Sequence, residues 1–133
     1  MKRLHLVVGI ATLIVFVLTG LYLRRVYPGM VGIGDGMRMM LRSRHLYILM
    51  AGALNAGLGL YLINRTSGWQ RVTQTIGSVL ILIAPILLIA AFFTEPQHPV
   101  AEAKIASLGL FATFGGIAFH LLSGVRVKRE AAP

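Results

Sequence analysis

Four apolar runs, at residues 4–23, 45–64, 72–94 and 104–125, dominate this chain, and its charged residues collect between and beyond them. Each run, coiled as a helix, is long enough to cross a hydrocarbon layer about 30 Å thick. Such a layer holds no water to pair with backbone N–H and C=O groups, so the chain must satisfy them internally. The pattern predicts an all-α integral membrane protein, with four transmembrane helices in an up-down antiparallel bundle forming one domain over residues 1–133. Charge content agrees: 13% of the residues are charged, where a soluble domain carries about a quarter.

A formal net charge of +9 raises the question of nucleic acid, and the placement of the charge answers it. Lys2–Arg3, Arg24–Arg25, Arg65, Arg71 and Arg126–Arg129 lie at the ends of the apolar runs, where basic side chains meet lipid headgroups. No basic patch is interleaved with aromatics, so no nucleic-acid partner is expected. The absence of cysteine excludes disulfides, thiolate metal sites, iron–sulfur ligation and cysteine nucleophiles.

Lys2–Arg3 followed by Leu4–Leu23 has the outline of a secretory signal, but its apolar run of about 20 residues exceeds the usual signal core, and no Ala-x-Ala-like site follows. It reads as a retained first span, with Gly9, Thr12 and Thr19 as packing positions. The loop 24–44 turns at Tyr27-Pro28-Gly29. From about Met37 it alternates methionine with Arg38, Arg42 and Arg44, so the second helix is expected to start in the membrane interface about two turns before His45, with Asp35 as its N-cap. Arg65 to Arg71 is a short polar turn, which makes the second and third helices antiparallel neighbours. Trp69 fits an aromatic belt. Asn64-Arg65-Thr66 matches a glycosylation sequon by chance. Pro85 falls within the third span and is expected to kink it. Pro99 suits the first position of the fourth helix and Glu102 its first turn.

Two helical faces are unusually small and polar. His45, Gly52, Asn55 and Gly59 share one side of the second run, and Gly109, Thr113, Gly116, His120 and Gly124 form a stripe on the fourth. Gly52, Asn55, Gly59, Gly109, Thr113, Gly116 and Gly124 are therefore expected to be helix-packing positions, the two stripes meeting each other or enclosing something between them.

Chemistry is sparse. No Asp, Glu, Lys or Arg lies centrally in any run, which argues against ion-coupled transport. No nucleophile, base and acid can be assembled, so an enzyme is not expected. His120 on the glycine stripe, with His5 on the first helix, offers a pair of imidazoles for a b-type haem or a quinone, with Gln74, Ser78 or Ser123 to orient a ring; His5 is expected about a turn shallower than His120. Met37, Met39, Met40 and Met50 with His45 and His98 have ligand types suited to Cu(I), but no repeated motif. The glycine-rich stretch Gly32–Gly36 with Arg38, Arg42 and Arg44 suits lipid headgroups.

These features lead to a non-enzymatic accessory, assembly or interaction subunit of the bacterial inner membrane, with the lipid bilayer and either a second copy or other membrane subunits as partners and no resident cofactor. The alternative is a redox membrane protein holding haem b or contacting quinone through His120 and His5. Seven basic residues on the face carrying both termini against six on the other favour cytoplasmic termini.

Overall fold

The computed structural model describes residues 1–66, 68–96, 98 and 104–125. Four helices account for nearly all of them: α1 (Lys2–Val26), α2 (Asp35–Tyr61), α3 (Gly68–Thr94) and α4 (Lys104–Gly124), with a 3-10 turn at Pro28–Met30. The expected roles of Pro99, Glu102 and the basic tail fall outside the described residues.

The protein is all-α, and α1, α3 and α4 are long and apolar enough to cross a membrane. α2 is as long as α3, but Arg38, Arg42 and Arg44 fill its first turns and Asn55 and three glycines dilute the remainder. The helix begins at Asp35, with Gly34 rather than Asp35 at the N-cap, and runs without a break through Arg44 into the apolar stretch. It ends at Tyr61, three residues before the apolar run ends, while α3 starts four residues earlier than expected and takes Trp69 into its first turn. α3 remains one helix across Pro85.

Sequential helices are antiparallel neighbours. α1 packs most closely on α2, and α3 on α4; α2 against α3 joins the two pairs. Glycines set the approach. A side chain at Gly9 would strike the backbone of Ala56, and one at Gly59 would lie 2.5 Å from the backbone of Leu6. On the other pair, a Cβ at Gly77 would meet the Gly116 carbonyl oxygen at 2.8 Å. The expected meeting of the α2 and α4 stripes does not occur. Gly52 and Gly59 face Leu13 and Leu6 of α1, whereas Gly109 and Gly116 face Leu88 and Ile81 of α3. Each stripe serves the helix next to it in the chain, because backbone contact within a hairpin uses the notch that a missing Cβ provides.

The outside of the molecule is apolar, and polar side chains are buried among an apolar core. Leu4, Val7, Ile10, Ile14, Val17, Leu18 and Leu21 form an exposed stripe along α1, and Leu108, Phe111, Phe114 and Leu121 are exposed on α4. His5, Asn55, Ser78, Thr113, Arg44 and Glu95 are buried. Water would oppose this distribution and lipid favours it, which marks an integral membrane protein.

Candidate functional site

Buried polar residues recur along the helices, and the cluster in which His5 meets half-buried His120 is built from Pro85. Proline has no N–H, so the carbonyl four residues earlier, that of Ile81, loses its helical partner. Asn55 of α2 replaces it: its Nδ2 donates to the Ile81 oxygen at 3.0 Å, and to the Ala51 oxygen at 3.0 Å. Both partners are pure acceptors, so the amide nitrogen must face them and Oδ1 must face the other way. There Oδ1 lies 2.8 Å from His5 Nδ1. Since Oδ1 only accepts, Nδ1 carries the hydrogen, and the neutral ring keeps its lone pair on Nε2. His5 is 0% exposed, and its Nε2 has no partner among the described residues. A chain of three hydrogen-bonding choices, starting at a proline on α3, thus fixes the tautomer of a histidine on α1.

The His5 ring lies beside that of His120, with ring centres 6.4 Å apart and planes inclined by 69°. The expected difference in depth between them is absent: α1 begins low enough on α2 for its first turn to reach the level of Asn55. Ser78 Oγ sits 3.2 Å from His120 Nε2. Of the other residues expected to orient an imidazole, Ser123 donates instead to the His120 carbonyl. Gln74 is occupied elsewhere, donating to the Ile63 oxygen and accepting from the Arg65 N–H. An imidazole nitrogen lies about 1 Å from its ring centre, so one metal atom about 2 Å from each of two such nitrogens and in line with both separates the centres by about 6 Å, and a tetrahedral angle brings them to about 5 Å. The observed spacing is close to the in-line value.

His45 is in a different place. Its ring stacks on Phe16 with centres 4.2 Å apart, and Nδ1 lies 3.0 Å from Thr19 Oγ1. It is a filler of the α1–α2 contact opposite Gly20. The methionines do not converge with it: Met40 is buried, while Met39 is 59% exposed. Among the described residues no group of three or more His, Asp or Glu side chains is arranged to hold a metal ion.

The three arginines expected at headgroups separate. Arg42 is exposed. Arg38 turns back to Asp35 at 3.4 Å and to the Ile33 oxygen. Arg44 is corrected outright, because it is only 8% exposed and is paired with Glu95. Its Nε and Nη2 donate to Glu95 Oε2 at 3.1 and 3.0 Å, and Glu95 Oε1 accepts the N–H of Ala106 in the first turn of α4 at 2.9 Å. One carboxylate therefore ties together α2, the end of α3 and the start of α4. The lengths of the connecting loops hid this pairing. The signal for it was Glu95 directly after an apolar run, on the face where Arg44 opens one.

Thr113, on the α4 stripe, is buried with its hydroxyl bonded to the Gly109 carbonyl of its own helix, so it contributes packing and no cross-link. Gly124 lies half-buried beside Arg65. Compared with known proteins, the chain matches no family model, no curated protein and no solved structure.

Proposed function

We propose that this is a four-span integral membrane protein that binds a ligand at the pair formed by buried His5 and half-buried His120, in the class of metal or haem centres held by imidazole. The observation that carries the reading is the bare lone pair of His5 Nε2, enclosed at 0% exposure and oriented through Asn55. A polar atom left unpaired in so dry a place is costly, and an imidazole whose other nitrogen donates to an amide is arranged as metal ligands usually are. In this reading α2 is the fourth span and crosses from Arg44 to Tyr61.

A haem macrocycle between the rings requires α1 and α4 to separate, because His5 is fully enclosed. Protein purified in mild detergent from cells grown with haem precursors and trace metals should carry a Soret band or about one equivalent of metal, and either should disappear in His5→Ala and His120→Ala. Preparations with neither signal would remove the proposal.

The accessory-subunit reading keeps one specific support. A side chain at Gly57 on α2 would meet nothing within 4 Å among the described residues, and beside it Leu60 and Tyr61 are exposed, leaving a small notch for another helix. Against it, the glycine faces from which it was first inferred are already filled within the chain. Ligand-free protein that co-purifies with a partner, and releases it on Gly57→Leu, would favour that reading.

A further inference from the structure

The terminal-face end of the molecule holds a cavity of about 430 Å³ between Met1, the coil after α2 and the first three turns of α3. Arg71, Gln74, Thr75 and Ser78 recur at helical spacing along its α3 wall, and Arg65 and Thr66 line the other side. Among the described residues no carboxylate is part of the lining. The two ion pairs of the described residues, Arg38 with Asp35 and Arg44 with Glu95, are elsewhere. Among the described residues neither Arg65 nor Arg71 has an acidic partner, and Arg65 Nε is buried without an acceptor.

The arrangement is built rather than incidental. Gln74 holds the coil at both ends of its amide, accepting the Arg65 N–H at 3.0 Å and donating to the Ile63 oxygen at 2.7 Å. This fixes the backbone from which Arg65 projects. Two guanidiniums beside the first turns of α3 also add charge at the positive end of that helix's dipole. Cations drawn close together without an anion repel one another, and a guanidinium N–H with no acceptor forgoes a charge-assisted hydrogen bond.

We infer that this cavity binds a phosphate group, gripped by Arg65 and Arg71 with Thr66 and Thr75 at its rim. Guanidinium forks match the geometry of phosphate oxygens, and the cavity volume accommodates a phosphate with its ester substituent. The phosphate comes either from an anionic phospholipid of the adjacent leaflet or from a free phosphate compound in the aqueous phase. The inference is independent of the histidine ligand: Ser78 alone belongs to both sites, and it bonds His120 from the cavity floor.

The test uses the full chain in neutral detergent, with thermal unfolding as the readout. Inorganic phosphate is titrated in one series, and mixed micelles of phosphatidylglycerol or phosphatidylcholine in two others. Protection by phosphatidylglycerol with half-maximum at least tenfold higher in Arg65→Gln and in Arg71→Gln, but unchanged in Arg24→Gln, supports the site with a lipid source. The same ranking with inorganic phosphate supports it with a free source. Arg24 serves as the control because it lies at the far end of α1, in a separate groove with Arg25. Equal weakening in all three variants would reduce the effect to net charge and overturn the inference, as would the absence of protection by any of the probes. If Arg65→Gln fails to fold, Arg65→Lys, which keeps the charge but not the fork, gives the same ranking at a smaller loss.

Discussion

Asn55 is the residue on which the interior turns. It supplies the N–H that Pro85 withholds from Ile81 and accepts the hydrogen of His5 Nδ1. Asn55→Leu leaves the Ile81 carbonyl and the His5 N–H unpaired, at a cost of about 1–3 kcal/mol for each group that finds no substitute. The two losses can be separated. In a Pro85→Ala background the residue at 85 has its own N–H, which bonds Ile81 in the helical manner, so Asn55→Leu should then cost less by about 1 kcal/mol. Equilibrium unfolding of the four proteins in mixed micelles measures the coupling. Equal costs of Asn55→Leu in both backgrounds would show that Asn55 does not serve the proline's vacant carbonyl. Asn55 and Pro85 are both conspicuous in the sequence, one as a mid-span amide and the other as a mid-span proline. Their connection was hidden because it depends on register: only the antiparallel packing of α2 on α3 brings residue 55 level with residue 81.

At the level of elements, helix identity was written in the apolar runs, because length and hydropathy decide it locally. Partner choice was not. A glycine stripe states that a backbone comes near without saying whose, and so the stripes of α2 and α4 read as meeting each other or enclosing something between them, when Gly52 and Gly116 each face their own hairpin partner. The same limit applied to Arg44, whose position before an apolar run suggested headgroups and whose partner lay 51 residues away. The Arg44–Glu95 pair is a buried link between the two hairpins at that end, with side chains 10% and 4% exposed. Glu95→Gln keeps an acceptor for the Ala106 N–H but leaves the guanidinium uncompensated, and it should cost about 3–5 kcal/mol. Arg44→Met together with Glu95→Gln removes both charges and should recover most of that loss, since a buried pair roughly balances its own desolvation. Thermal unfolding of the single and double variants checks this. A double variant less stable than Glu95→Gln would mean that the charges attract more than their burial costs.

For the whole molecule, the ion pair also bears on orientation. Loop charges direct insertion when they remain in the interface, and Arg44 is drawn into the protein against Glu95. The face opposite the termini is left with Arg24, Arg25, Arg38, Arg42 and Lys104, five basic residues against the seven of the terminal face. The margin for cytoplasmic termini widens from one residue to two. Gly32 is a suitable point to test it: it is exposed, its φ is +79°, and a side chain there would meet nothing within 4 Å, so an insertion displaces no packing. Alkaline phosphatase inserted at Gly32 should be active, because that enzyme matures only outside the cytoplasm, and a green fluorescent protein joined after Pro133 should fluoresce, because it matures inside. The opposite pair of signals would invert the topology. It would also move the phosphate-binding cavity, which lies on the terminal face with Arg65 and Arg71, from the cytoplasmic leaflet to the outer one.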